Sequence, residues 1–127
     1  MSSAVASAFK ILILGPNPAF QKVLTFDSPL QLGNVNRAAA VTQYVGGKGQ
    51  GVAMALARWA PRSNTAVAHF LGGGTGDFVE EQMRSIAGLD QIVQRVAAPT
   101  RVCTTLCVGR DIQPPMPCGC GPPTLRR

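Results

Sequence analysis

Residues 45–58 read VGGKGQGVAMALAR, a glycine-rich turn that runs straight into a segment of helical composition. Gly46, Gly47, Gly49 and Gly51 lack a Cβ, so the backbone there can bend sharply and approach another group closely. A helix beginning at such a turn presents unpaired N–H groups and the positive end of its dipole. Lys48 adds a mobile cation at the same spot. The combination suits an anionic or hydroxyl-rich small molecule; the alternative is a tight strand-to-helix connection that holds no ligand. Two phosphate loops are excluded by spacing. A Walker A loop would need Gly at position 42 and Ser or Thr at 49, where the chain has Thr42 and Gly49. The Rossmann spacing G-x-G-x-x-G ends on Val52 instead of its third glycine.

The 127 residues suffice for one domain and are too few for two of ordinary size. Net charge is +6, but the cations are scattered from Lys10 to Arg127 with no run longer than Arg126-Arg127. Nucleic-acid binding concentrates such charge on one face and adds aromatics to stack on bases; neither is visible, so no nucleic-acid partner is expected. No stretch approaches the ~20 apolar residues of a membrane span. The apolar run Ile11-Leu12-Ile13-Leu14 is too short for a signal peptide and stops at Gly15-Pro16. A cytoplasmic location is expected, and the Ser/Ala-rich, acid-free segment 1–8 is also compatible with an organellar address. Cys103, Cys107, Cys118 and Cys120 follow no common zinc spacing, so no metal site is expected. Cys103 and Cys107 fall on one face of a strand and read as small core residues.

In chain order, residues 9–14 (FKILIL) form a near-continuous apolar run closed by Gly-Pro, the pattern of a strand buried on both faces. Residues 17–21 (NPAFQ) follow as a loop at its C-terminal end, where ligands bind in open α/β sheets. Residues 22–26 and 35–45 read as strands of a second, smaller sheet. Residues 51–60 read as a helix with Val52, Leu56 and Trp59 on its buried stripe. A strand over 66–71 contains His69, which reads as a satisfied core or edge histidine. Gly72-Gly73-Gly74-Thr75-Gly76 is a second glycine-rich turn before a helix over 77–87, whose acids Asp77, Glu80 and Glu81 suit its positive end. Residues 92–97 and 101–108 read as a strand pair across Ala98-Pro99-Thr100. The order predicts an α/β fold with a small sheet beside the main one. From Gly109 onward prolines, glycines and two cysteines replace the periodicity, predicting a disordered tail over 109–127. Its makeup after a clean strand also fits a crossed reading-frame or splice boundary.

Four motifs in order carry a resemblance: NPAF (17–20), GGKG with its helix (46–57), FLGGGTGDF (70–78) and TRVCTTL (100–106). From about residue 9 to 108 the chain resembles the N-terminal part of the PfkB/ribokinase-type carbohydrate kinases. The branch acting on sugar phosphates, such as 1-phosphofructokinase and tagatose-6-phosphate kinase, is the most similar. The resemblance implies a three-layer α/β core with a small β lid over the sugar, often also used for dimerisation. Residues 22–26, 35–45, 92–97 and 101–108 would be lid strands. Gly46, Gly47 and Lys48 would lie against the sugar hydroxyls, and Arg101 would reach the substrate's phosphate, a task suited to its bidentate fork.

Two positions depart from the family pattern. Gln21 stands where Asp commonly binds sugar hydroxyls, and Gly51 where Asn commonly does. A lost contact of that kind costs ~1–3 kcal/mol. The family's Gly-Ala-Gly-Asp segment, with its anion hole and catalytic Asp, does not occur in these residues. ATP and Mg serve the full-length family; neither is expected to bind this chain alone. Removing the general base alone costs ~10²–10⁴-fold in rate, so the 127 residues are expected to bind sugar or sugar phosphate weakly and to be inactive as a kinase. Two other readings stand beside this one: a non-catalytic module whose lid strands pair with a partner, and an unrelated glycine-rich nucleotide binder. A core sheet of only the strands at 9–14 and 66–71 would leave apolar faces uncovered, an aggregation hazard.

Overall fold

The computed structural model describes residues 11–60 and 64–109. Within them lie β1 (Ile11–Leu14), β2 (Ala19–Phe26), β3 (Ala40–Gly46), α1 (Lys48–Trp59), β4 (Thr65–Leu71), α2 (Gly73–Arg84), β5 (Leu89–Arg95) and β6 (Val102–Val108). The strands form two three-stranded sheets, ordered β1-β4-β5 and β3-β2-β6. The fold is therefore α/β with a small second sheet, as the sequence implies. The expected flexible N-terminus and the tail over 109–127, Gly109 apart, lie outside the described residues, as do Cys118 and Cys120.

The core sheet is wholly parallel, with Leu14 paired to Ala68 and Ala68 to Ile92. Both helices pack on one face of it, around Met54, Val67, Leu71, Val79 and Met83. The opposite face carries Leu12, Leu14, Phe70 and Ile92, all exposed, so β1 is not buried on both faces as its apolar run implies: no described element covers that side. Residues 92–97 are not lid: the strand spans Leu89–Arg95 and lies beside β4, so the core sheet has three strands rather than two. A helix between two strands lets the second return parallel to the first, and α2 does this. Val96 N–H continues the pairing by donating to the Leu71 carbonyl at 3.0 Å. The strands on either side of Ala98-Pro99-Thr100 thus belong to different sheets and do not pair.

In the lid, β2 runs antiparallel to β3 and parallel to β6. Its first residues, Ala19 to Gln21, were expected in the preceding loop but pair with Gly46, Val45 and Tyr44. Conversely, residues 35–39 are not strand. Asn36 donates to the Gln31 carbonyl at 2.9 Å and accepts from the Gln31 N–H at 2.8 Å, local bonds that compete with a ladder. Parity divides the lid into a more polar face, with Gln21, Tyr44, Cys103 and Thr105 beside the buried Val23, and a more apolar one, with Phe20, Leu24, Val41 and Leu106 beside Lys22 and Thr104. Cys107 is buried and Cys103 half-buried on the polar side, and both are free thiols.

Both helices start earlier than their composition suggests. Helix α1 begins at Lys48, with Gly47 as N-cap, and buries Gln50, Ala53, Met54 and Ala57. Val52 and Trp59, expected inside, are exposed. The small residues win that face because the helix lies so close to β1: a Cβ on Gly49 would stand 2.5 Å from the Gly15 Cα. Helix α2 begins at Gly73, not Asp77, so no acid lies in its first turn. Its start is fixed from outside. The Thr100 hydroxyl accepts from the Gly72 N–H at 3.2 Å, and the Thr75 hydroxyl donates to the Thr100 carbonyl at 2.6 Å. No described helix is long and apolar enough to cross a membrane.

Candidate functional site

The glycine turn is shaped by contact rather than by composition alone. Gly47 has φ 118°, a left-handed value that favours glycine. A Cβ on Gly47 would overlap the Gln50 Oε1 and stand 3.2 Å from the Pro18 Cα. Gly46 is paired with Ala19, and a Cβ on it would meet the Gln21 Cβ at 3.3 Å. The first bond of α1 runs from the Gly51 N–H to the Gly47 carbonyl at 2.9 Å. The turn therefore rests directly on the NPAF segment, at the C-terminal end of β1.

Beneath the turn Gln50 is fully buried. Its amide nitrogen donates to the Gly15 carbonyl at 2.7 Å and lies 3.3 Å from His69 Nδ1. Because a carbonyl only accepts, the nitrogen must face Gly15. His69 Nδ1 is then the acceptor and Nε2 carries the proton. His69 Nε2 and the Gln50 and Gln91 Oε1 atoms have no partner of hydrogen-bond geometry among the described residues. Burial pushes the His69 pKa below its ordinary value, and nearby Gln91 and Glu80 pull it partly back. The expected satisfied core histidine is thus buried and bonded through one ring nitrogen only.

Across the NPAF segment from the turn stands Arg101, immediately before β6. Its Nε donates to Asn17 Oδ1 at 2.9 Å, its Nη2 to the Asn17 carbonyl at 3.3 Å, and its Nη1 to Cys103 Sγ at 3.1 Å. Among the described residues no carboxylate pairs with it. The contrast is Arg95, which is ion-paired to Asp77 at 2.7 Å and to Glu80. Those acids and their hydrogen bonds raise the Arg95 pKa further. Asn17, Pro18, Thr100 and Arg101 line a cleft of about 210 Å³, with Pro16, Phe70 and Val96 at the carboxyl ends of the core strands.

The expected site residues fall into two groups. Gln21, Gly46 and Gly47 meet around the start of β2, and Arg101 joins them through Asn17. Gln21 itself donates to Thr105 Oγ1 at 2.9 Å on the polar lid face. Lys48 is exposed at the first position of α1. Gly51 lies within the helix, with nothing inside 4 Å of where a side chain would start. Sequence reasoning missed Asn17, Gln50 and Thr100. The Pro-Asn-Pro setting of Asn17 is a readable signal of a fixed residue, and Thr100 opens the TRVCTTL motif; nothing in the sequence singles out Gln50 for burial. No cluster of three or more metal-ligating side chains occurs among the described residues.

Residues 20–112 match the profile of the pfkB family of carbohydrate kinases. The chain belongs to that family. It is 36% identical over 96 residues to the 1-phosphofructokinase of Haloferax volcanii, covering 76% of this chain and 30% of that protein. It is 39% identical over 85 residues to the 1-phosphofructokinase of Xanthomonas campestris pv. campestris, covering 67% and 26%. Phosphofructokinase-2 of Escherichia coli, solved in complex with fructose-6-phosphate, superposes with a TM-score of 0.67 at 18% identity, over 78% of this chain and 31% of that one. The structural likeness carries the fold alone. This pfkB chain spans less than a third of the length of the relatives it matches.

Proposed function

We propose that these residues form the acceptor half of a sugar-phosphate kinase of the pfkB family, holding sugar but not completing transfer. In this reading Gly46, Gly47 and the Lys48 ammonium meet the sugar hydroxyls from one side and Gln21 from the lid. The Arg101 guanidinium takes the phosphate that the acceptor already carries. The observation that supports it best is the lodging of the NPAF segment between the glycine turn and Arg101, with Pro18 against Gly47 and Asn17 against the guanidinium. A cation held only by neutral acceptors keeps its charge for an anion, and the α1 N-terminus, exposed at Lys48, favours negative charge.

ATP with Mg would supply the phosphoryl group in the full-length enzymes. Among the described residues Asp77 and Glu80 are engaged by Arg95 and Arg84, and no cluster of three or more ligating side chains occurs. In this reading the chain's own residues bind and orient the acceptor. A cytoplasmic setting follows from this reading.

Calorimetric titration of the purified 127-residue chain with fructose 1-phosphate, fructose 6-phosphate and fructose tests it, alongside a coupled assay for ADP release. Both phosphorylated sugars are expected to bind at least about tenfold more tightly than fructose, with no ADP formed. Equal binding of fructose would reject the anion site, and steady ADP formation would reject the acceptor-half reading. One observation favours a second role: Val41, Val102 and Leu106 are exposed on the apolar lid face, a surface suited to a lid-mediated dimer. Concentration-dependent sedimentation, weakened by Leu106→Lys, is its check.

A further inference from the structure

We propose that Asn17 is a positioning residue for Arg101, clamping one edge of the guanidinium so that the other is presented to a phosphoryl-bearing ligand; this rests on the reading of Arg101 as the phosphate partner. A guanidinium has five N–H donors in a fixed fork. Asn17 alone takes two of them, on Nε and Nη2, through its side-chain and backbone oxygens. Cys103 Sγ takes one on Nη1. What remains is one N–H on each terminal nitrogen, two donors for the oxygens of a phosphoryl group.

The clamp is stiff because of its sequence. Asn17 stands between Pro16 and Pro18; the ring of each proline fixes its own φ, and a residue before proline is confined to extended conformations. Pro18 is buried and packed against Gly47. On the other side the Arg101 carbonyl accepts from the Phe20 N–H at 2.9 Å, and Thr100 is tied to Gly72. Both partners are thus anchored before any ligand arrives. An unclamped arginine would surrender several rotatable bonds on binding, and ordering it in advance removes that loss.

The chemistry of the clamp also matters. Asn17 offers an amide oxygen and a peptide oxygen, and Cys103 a thiol. These fix direction without neutralising charge, whereas a carboxylate at position 17 would do both. The pair therefore selects for a phosphorylated sugar over the same sugar unphosphorylated.

The test uses the purified chain, its Asn17→Ala, Asn17→Asp and Arg101→Ala variants and the Asn17→Ala/Arg101→Ala double variant, with fructose 1-phosphate as probe and circular dichroism to confirm folding. Asn17→Ala is expected to weaken fructose 1-phosphate about five- to tenfold and to leave fructose binding unchanged. It should add nothing in the Arg101→Ala background. By NMR the Arg101 Nε–H should exchange slowly in the parent and in Asn17→Asp, and quickly in Asn17→Ala. Asn17→Asp should nevertheless bind fructose 1-phosphate no better than Asn17→Ala, because the arginine is ordered but neutralised. An unchanged Nε–H signal in Asn17→Ala, or an equal Asn17→Ala loss with and without Arg101, overturns the clamp. Undiminished binding by Arg101→Ala overturns the phosphate reading and the role built on it, and the Nε–H signal separates that failure from failure of the clamp.

Discussion

The ring of Phe20, on the lid, meets Phe78 of α2 edge-on, with centroids 4.8 Å apart and planes 80° from parallel. The contact joins the small sheet to the core. Edge-to-face pairs contribute about 0.5–1.5 kcal/mol beyond the area they bury. A double-mutant cycle of Phe20→Ala and Phe78→Ala in urea should return a coupling in that range. Each single change should cost about 2 kcal/mol, below the range for fully buried rings because both are half-buried. A coupling of zero would mean that the ring pair adds nothing beyond the packing of Val45 and its neighbours on the core.

Gly51 offers a gain-of-contact experiment. Nothing lies within 4 Å of the side-chain position, and its backbone is helical. Gly51→Asn should therefore fold without strain and gain a few tenths of a kcal/mol in helix propensity. In the acceptor-half reading it also restores a hydroxyl partner, worth ~1–3 kcal/mol. Titration should show fructose 1-phosphate binding at least about fivefold more tightly than in the parent. Unchanged affinity with an unchanged fold would place the sugar away from this helical turn.

The pH dependence of stability should carry a signature of His69. Burial lowers its native pKa, opposed by Gln91 and Glu80, while in the unfolded chain it titrates near about 6.5. The unfolded state therefore binds more protons, and stability falls as pH falls. His69's contribution is complete above about pH 6.5 and is lost on descending from there through the lower native value. Protonation would also turn Nδ1 from acceptor into donor, facing the Gln50 amide nitrogen 3.3 Å away. Urea denaturation at pH 7.5, 6.0 and 5.0 should show the parent losing stability more steeply than His69→Gln, by at most one proton's slope. Parallel losses in the two proteins would remove His69 from the account.

What the sequence revealed followed the range of the interactions. Strand β1, the lid strand β6 and the glycine turn are written in local patterns: an apolar run ending in Gly-Pro, β-branched alternation, four closely spaced glycines. The start of α2 is hidden because Gly73, Gly74 and Gly76 have poor helix propensity and the turn is fixed by Thr100, whose bonds to Gly72 and Thr75 cross 28 and 25 positions. Strand β5 is ambiguous in the sequence because an alternating strand reads the same in a lid or at a core edge; the preceding helix, which permits a parallel return, decides for the core. In the site, residue types were legible and partners were not. Arg101 stood out in its motif, whereas its bonds to Asn17 cross 84 positions. Gln50 sits at a position whose burial follows only from the close packing of Gly49 on Gly15.

The uncovered face of the core sheet has a solution consequence. Leu14 is 73% exposed, with Leu12, Phe70 and Ile92 beside it, and Leu14, Phe70 and Ile92 border an apolar hollow of about 320 Å³ with Ala68 and Pro16. Contiguous apolar surface of this kind drives association. The helices cover the other face, so a charge placed at Leu14 should relieve association without disturbing the packed core. Leu14→Lys is expected to lower light scattering at raised protein concentration and to leave the urea midpoint within about 0.5 kcal/mol of the parent. If scattering falls instead with Leu106→Lys and not with Leu14→Lys, the lid and not the core sheet is the face through which copies meet.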